Sequence, residues 1–196
     1  PDTSLHAAFF FYSELKGTGK STCADVLRKL IGEANSSAVP ISQLASGKNA
    51  VLALIGKRLN ISDEMDTKYL ESSIISSIVS GEPITVDIKY QSPITIRPKV
   101  KFVFTTNTLP NYSSPTGMTR RTYPIPFNHI ITEEERVYGL AEKIIEKEAS
   151  LILNWALEGL RRLKERKSGF IVPKEVDEEI VEYRQETSSV DEFFSD

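Results

Sequence analysis

The sequence predicts an α/β fold with a central, mostly parallel sheet, an inserted β-hairpin and helices towards the carboxyl terminus. Two observations support this prediction. Apolar runs of strand length alternate with segments of helical periodicity along the chain. The first run, residues 7–12, is aromatic and small, as in a strand buried on both faces, and it leads through a glycine-containing turn into a helix.

The composition sets the class of protein. The chain has 196 residues, of which 40% are hydrophobic and 26% are charged, so one compact domain with an appendage is expected. The net charge of −3 argues against a generally basic nucleic-acid coat. Any nucleic-acid contact must therefore come from a local patch, or from several copies that pool one.

The rare residues narrow the setting. The single cysteine, Cys23, excludes an intrachain disulfide, and the two histidines, His6 and His129, argue against a zinc centre. No apolar run reaches membrane-spanning length. A reducing, cytoplasmic setting is expected. Because the chain opens on a strand without a starting methionine, we also expect a fragment of a longer protein.

The remaining elements follow from periodicity and from turn residues. The predicted helices are 20–30, 50–55, 68–79, 133–165 and 174–186. The predicted strands after the first are 58–61, 84–88, 94–96, 100–105 and 123–127, and the predicted loops are 35–48 and 108–119. The expected organisation is a core over 1–132, a helical segment over 133–186 and a flexible tail over 187–196.

A phosphate-binding loop is the strongest local signal. A strand, a glycine-containing turn and then Lys-Ser at a helix start turn several backbone N–H groups towards a phosphate. The predicted nucleotide-binding residues are Gly17, Thr18, Gly19, Lys20, Ser21 and Thr22. Lys20 would reach the β- and γ-phosphates, and the Ser21 hydroxyl would ligate magnesium. The alternative is a chance Gly-Lys-Ser-Thr in a turn.

This loop departs from the usual pattern at one position. Glu14 stands where the first glycine is usual, and its side chain requires a negative or a strained φ. It would also bring an acid near the triphosphate unless it turns away.

Three polar groups further along the chain complete a candidate hydrolytic site. Asp63 would hold magnesium through water, and Glu64 would polarise the attacking water; the alternative is a solvated acidic turn. Asn107, after the strand 100–105, would orient that water, unless it is a simple turn asparagine. Of the pair Arg120-Arg121, one arginine would act as a finger in a neighbouring subunit, unless both are solvated.

Taken together, these residues resemble the superfamily 3 helicases within the AAA+ class. The resemblance is to the phage and plasmid primase-helicases and to the poxvirus nucleoside-triphosphatase/primase, and it covers roughly residues 8–127. The motifs occur in the family's order: GTGKST at 17–22, IGKRLNISDE at 55–64, SGEPI at 80–84, KY at 89–90, TTNTLP at 105–110, RR at 120–121 and IPF at 125–127. NWALEGL at 154–160 looks like the family's C-terminal helices.

The resemblance implies an ATP- and magnesium-dependent motor that forms a ring, usually a hexamer, and moves along single-stranded or forked DNA. It places a DNA-binding lysine, Lys89, at a hairpin tip, with Tyr90 beside it to touch backbone or stack on a base. It assigns the trans arginine to Arg121, six residues before Phe127. It suggests a prokaryotic mobile element or phage, and a primase domain upstream. We expect this chain, without the family's N-terminal oligomerisation region, to be monomeric alone.

Two other functions stay open at this point. A small-molecule kinase would also need a phosphate loop, but it would require an acceptor pocket and an arginine-rich lid, and the hairpin at 84–97 would have no role. A catalytically degenerate scaffold would keep the fold without hydrolysis, and Glu14 is the feature that favours it.

Overall fold

The computed structural model describes residues 2–63, 72–110, 115–166 and 169–193. In these ranges the strands are β1 (Ala8–Tyr12), β2 (Ser36–Ser37), β3 (Leu59–Asp63), β4 (Ile84–Val86), β5 (Ile94–Ile96), β6 (Lys101–Thr106) and β7 (Thr122–Pro126). The α-helices are α1 (Lys20–Ile31), α2 (Ile41–Ser46), α3 (Ser72–Ser80), α4 (Pro115–Met118), α5 (Leu140–Glu165) and α6 (Lys174–Phe193). Short 3₁₀ turns cover Glu33–Asn35, Lys48–Leu54 and Thr119–Arg121.

The central sheet has five strands in the order β2-β3-β6-β1-β7, and all four pairings are parallel. Parallel neighbours require crossover connections, which α1, α3 and the intervening segments provide. β4 and β5 form a separate antiparallel hairpin, in which the hydroxyls of Thr85 and Thr95 lie 3.0 Å apart. The predicted fold class is therefore confirmed: a parallel α/β sheet, an inserted hairpin and C-terminal helices.

Both faces of the sheet are buried, as expected for parallel strands. Phe10, Phe102 and Phe104 alternate with the opposite face and form one fully buried layer, with the Phe10 and Phe104 ring centres 5.1 Å apart. Phe11 and Val103 point the other way and pack in the cluster that contains Ala24 of α1. The aromatic composition of residues 7–12 thus reflects a strand that is covered on both sides.

The sheet edge at β2 depends on one buried amide. Asn60 in β3 is fully buried. Its Oδ1 accepts hydrogen bonds from the Val39 N–H (2.9 Å) and the Ser37 hydroxyl (2.8 Å), and its Nδ2 donates to the Val39 carbonyl (2.9 Å). The Ser62 hydroxyl donates to the same carbonyl at 3.1 Å. A side chain thereby satisfies backbone groups that β2, only two residues long, cannot pair.

The structure differs from the predicted elements in the short segments and at the ends of the long helices. Residues 35–48 contain β2 and α2, not a loop, because neither element is long enough to show a period. β3 continues to Asp63, and α4 lies within the predicted loop 108–119. α5 begins at Leu140 rather than near 133, after Gly139 at φ +65°, and α6 continues to Phe193. Within the described ranges, no helix has both the length and the apolarity to span a membrane.

Candidate nucleotide-binding site

The phosphate loop, residues 17–22, follows the carboxyl end of β1 and includes the first turn of α1. Gly17 (φ +72°) and Gly19 (φ +87°) both take the left-handed conformation, which favours glycine, and Gly19 is the N-cap of α1. The Ile131 N–H donates to the Gly17 carbonyl at 3.0 Å. A methyl group on Gly19 would lie 3.1 Å from Ile131 Cδ1. The loop therefore needs glycine at both positions, and residue 131 packs against it.

Lys20 lies across this loop. Its Nζ donates to the carbonyls of Ser13 and Leu15, both at 3.2 Å, and to Asn107 Oδ1 at 2.9 Å. Partial burial lowers the pKa of Lys20 from its ordinary value. All of these partners are neutral oxygens, so a phosphate could replace them and gain a charge-assisted hydrogen bond.

The polar ends of three adjacent strands meet at the loop. A cavity of about 380 Å³ is lined by Lys16, Gly17, Thr18, Gly19, Lys20, Ser21, Thr22, Asp63, Thr105, Thr106 and Asn107. Because β3, β6 and β1 are neighbours and parallel, their carboxyl ends reach one edge of the sheet. The Thr105 hydroxyl donates to Asp63 Oδ1, which fixes that carboxylate at the cavity. Segments far apart in sequence thus converge on one concave, polar site; Glu64 lies outside the described residues.

The donor set of this cavity suits magnesium rather than a protein-caged metal. Among the described residues, no group of three or more His, Cys, Asp or Glu could hold a metal ion. Magnesium usually takes one or two protein oxygens and completes its shell with water and substrate phosphates. Asp63 and the exposed Ser21 hydroxyl supply oxygens of this kind in one cavity.

Two predicted groups do not line this cavity. Arg121 precedes β7 and lies at the end of the sheet where the parallel strands begin, since Thr122 is in register with Ala8, the first residue of β1. It is only 8% exposed; its Nε donates to Ser80 Oγ at 3.1 Å and a terminal nitrogen donates to the Gly117 carbonyl. Burial lowers its pKa, with the neighbouring Arg120 also contributing. Arg120 itself is exposed.

Lys89 and Tyr90 lie at the tip of the hairpin, between β4 and β5. Tyr90 is 93% exposed and has a φ of +66°, which is uncommon for a residue with a side chain. Lys89 Nζ lies 5.1 Å from the centre of the Tyr90 ring, a cation–π distance. The tip therefore presents a cation and an aromatic face together to solvent.

Glu14 turns away from the phosphate loop. It does not line the loop cavity, and in the described chain only His6 and Tyr90 combine a side chain with a positive φ, so Glu14 is not strained in that way. The Tyr12 hydroxyl donates to Glu14 Oε1 at 3.2 Å, and the carboxylate lines another cavity with Glu179 and Glu182 of α6. The acid that replaces the usual glycine is therefore kept apart from the phosphate site.

This arrangement disfavours the ionisation of Glu179. Burial, then Glu182 and Glu14, raise the pKa of Glu179 above its ordinary value. Below the unfolded pKa the carboxyl is neutral in both states. As pH rises from the unfolded to the folded pKa, the unfolded chain ionises more readily, so the folded state loses stability across that interval, and the loss persists at higher pH. We expect Glu179→Gln to raise the urea midpoint at pH 7 and to change it much less at pH 4. Glu146→Gln on the exposed face of α5 is the control, and an equal shift at both pH values would contradict the prediction.

One wall of the site could not be predicted from the sequence, because residues 133–165 have helical periodicity throughout. A second recess of about 350 Å³ shares Gly17, Gly19 and Thr22 with the loop cavity, and residues 131–142 form its other side. Tyr138, 77% exposed, and Val137 project from that side. Lys29 of α1 and Glu142 of α5 form an ion pair at 2.9 Å that ties this wall to the loop helix. Gly139, the N-cap of α5, is of a residue type that is accepted at helix N-caps.

Comparison with known proteins identifies the family of this chain. Residues 11–121, which include the loop, Asp63, Asn107 and Arg121, match the model described as "Family of unknown function (DUF5906)". The chain belongs to the DUF5906 family. This DUF5906 chain is also 26% identical over 222 aligned positions to a protein of Acanthamoeba polyphaga mimivirus named "Putative helicase", and the match covers 99% of the chain and 22% of that protein.

Solved structures share the fold of this DUF5906 chain. Two apo structures of the NrS-1 C-terminal region align with TM-scores of 0.55 and 0.53, each at 20% identity over 74% of the chain. The aligned part is 34% and 35% of those chains. The chain thus spans about a fifth of the mimivirus protein and about a third of the NrS-1 region. At this identity the structural match shows the α/β fold.

Proposed function

We propose that this chain is the ATP-hydrolysing, magnesium-dependent motor domain of a DNA helicase or translocase. The observation that carries the proposal is the cavity in which Lys20, Asp63 and Asn107 meet, with Lys20 Nζ 2.9 Å from Asn107 Oδ1. The same three positions belong to the motifs of the superfamily 3, AAA+ resemblance. The chain is also similar to a mimivirus protein named as a putative helicase. This similarity favours a motor domain over other classes of phosphate-loop protein.

Different residues of the site have different roles in hydrolysis. Backbone N–H groups of residues 17–22 and the start of α1 bind the phosphates, and Lys20 exchanges its carbonyl partners for the β- and γ-oxygens. Ser21 would hold magnesium directly and Asp63 would hold it through water, and the bound ion would supply positive charge against the phosphate oxygens. Asn107, released by Lys20, orients the attacking water, and Glu64 polarises it.

The recess on the far side of the loop suits the nucleoside. It adjoins Gly17 and Gly19, and Tyr138 and Val137 offer exposed apolar surface at that place. A nucleobase needs such a surface next to its phosphates. We therefore propose that the base and sugar extend from the loop towards residues 131–142.

The ring and the arginine finger are part of the same proposal. Arg121 lies at the sheet edge opposite the phosphate loop, so it would serve a neighbouring subunit and not its own cavity. In that role it must leave Ser80 and Gly117, a rearrangement that a subunit contact would have to drive. The resemblance also predicts a hexamer, DNA as the polymer along which it moves, and an upstream primase domain. It further predicts an origin in a prokaryotic mobile element or phage.

Hydrolysis by the natural protein that contains this chain tests the proposal. We expect ATP hydrolysis that requires magnesium, that is stimulated by single-stranded DNA and that accompanies a multimeric mass in solution. A ring-forming protein that does not hydrolyse ATP with or without DNA would support the degenerate scaffold instead. Phosphorylation of a small metabolite without stimulation by DNA would support a kinase.

The hairpin tip makes a separate prediction. We expect Lys89→Ala in the natural protein to weaken single-stranded DNA binding and to reduce unwinding at least about tenfold, because one contact is lost in every subunit of a ring. Hydrolysis without DNA should be retained, since Lys89 does not line the loop cavity. Lys143→Ala on the exposed side of α5 is the matched control. Unchanged unwinding by the Lys89→Ala protein would remove the hairpin tip from the proposal.

A further inference from the structure

Another cavity, at the foot of the hairpin, has four cations in its lining. It measures about 460 Å³, and among the residues that the structure describes its lining contains Lys57, Arg58, Arg97 and Lys99 but no carboxylate. The chain as a whole has 27 acidic and 24 basic residues, so four cations around one acid-free recess depart from its average. We call these four residues the foot cluster.

The backbone holds the foot cluster in place. Arg58 precedes β3 and Lys99 precedes β6, and the Lys101 N–H donates to the Arg58 carbonyl at 3.0 Å, which joins the two strand starts. Arg97 follows Ile96, the last residue of β5, so it belongs to the hairpin itself. The cluster therefore sits at the amino edge of the sheet, and one hairpin strand leads from it to the tip at Lys89.

The charges of the foot cluster are not neutralised within the described part of the chain. Arg58, Arg97 and Lys99 are exposed, and none of the four takes part in an ion pair there. Lys57 Nζ donates to a neutral group, the Ala34 carbonyl, at 2.9 Å. Like charges held together without counter-charges repel one another, and an anion that binds several of them relieves this repulsion.

The lining favours a chain of phosphates over a single one. One phosphate would leave part of the cluster unmatched, whereas successive phosphodiesters can reach several cations. Ile55, 54% exposed, with Val51 and Leu54 beneath, adds apolar surface in the same recess. Sugars and bases offer apolar surface beside their phosphates, whereas the carboxylates of an acidic peptide do not. The hairpin also links the cluster to the cation and aromatic ring at Lys89 and Tyr90.

We propose that the foot cluster is a second nucleic-acid contact, which binds the sugar-phosphate backbone of a single strand at the base of the hairpin. It extends the track that begins at the hairpin tip, and it rests on the proposed function for the idea that nucleic acid is the ligand. It neither lines the phosphate-loop cavity nor requires hydrolysis.

The salt dependence of binding tests this contact. The variant Arg58→Gln, Arg97→Gln, Lys99→Gln removes the three exposed cations of the cluster. The matched control, Lys143→Gln, Lys147→Gln, Arg162→Gln, removes the same charge from exposed positions on α5. Binding of a labelled single-stranded oligonucleotide to the natural protein is measured from about 50 to 200 mM salt, without nucleotide. Three lost phosphate contacts should reduce the slope of log K against log salt by about 2; the control slope should change much less.

The outcomes separate this inference from the proposed function. A cluster variant that keeps its unfolding midpoint and its oligonucleotide slope refutes the foot contact, even if ATP hydrolysis is intact. Cluster-dependent binding by a protein that never hydrolyses ATP supports the contact and refutes the motor. Equal, cluster-dependent binding of a polyglutamate peptide of matched charge would overturn the choice of nucleic acid. The charge-conserving variant Arg58→Lys, Arg97→Lys should keep the slope of the parent protein. That result would confirm that positive charge at these positions is what the nucleic acid requires.

Discussion

Lys20→Ala should reduce ATP hydrolysis by about 10²- to 10³-fold, the usual cost of removing one group that stabilises transition-state charge. Lys20 is the cation whose ammonium already lies at the convergence of the loop carbonyls and Asn107. Its removal takes away positive charge at the point where charge develops on the transferred phosphate. Steady-state phosphate release at saturating ATP and magnesium measures the effect.

The control for this variant is the neighbouring cation Lys16, which lines the same cavity and is exposed. Lys16→Ala removes an equal charge without removing a hydrogen bond to Asn107, so we expect less than a tenfold change. Both variants should unfold at the urea concentration of the parent protein, because neither side chain belongs to the buried clusters. Equal losses from the two variants would mean that general charge, and not the position of Lys20, supports hydrolysis.

Asn60→Ala should destabilise the fold by about 2–4 kcal/mol, since buried polar groups left without partners cost about 1–3 kcal/mol each. The truncation orphans the Val39 N–H and weakens the pairing of its carbonyl, which keeps only the Ser62 hydroxyl. It also removes the acceptor of the Ser37 hydroxyl. Urea unfolding followed by far-UV circular dichroism measures the change, and detachment of β2 would appear as increased proteolysis near residues 36–39.

Asn35→Ala is the matched control for this stability effect. Asn35 is exposed, and its Nδ2 makes one hydrogen bond, to the Ile31 carbonyl at 3.0 Å. Its loss should cost less than about 1 kcal/mol, the worth of one solvent-accessible hydrogen bond. If Asn60→Ala were no more destabilising than Asn35→Ala, the side-chain clamp would not be what holds β2 to the sheet.

The part of the site that sequence could predict is the part built from local patterns. A strand that ends in a glycine turn and a lysine at a helix start predicts the phosphate loop without knowledge of distant contacts. Asp63 and Asn107 could be identified because polar residues follow apolar strands, and the parallel pairing of β3, β6 and β1 then brings them to the loop.

Other parts depend on contacts between distant segments and leave little local signal. The foot cluster combines Lys57 and Arg58 with Arg97 and Lys99. Arg58 and Arg97 are 39 positions apart, and only the fold brings them to one cavity. The wall at residues 131–142 has helical composition but folds as turns up to Gly139. Glu14 could not be placed from sequence, because its surroundings include α6, more than 160 residues away.

The two ends of β3 separate two electrostatic environments. Arg58 stands just before the strand and Asp63 ends it, five residues later, which is about 17 Å at roughly 3.3 Å per residue. The screening length at physiological ionic strength is about 8 Å, half that span. The foot cluster therefore adds little to the attraction between a nucleotide and the loop. Each end of the sheet therefore attracts its own polyanion without electrostatic help from the other end. The salt dependence of nucleotide affinity should differ from that of oligonucleotide affinity.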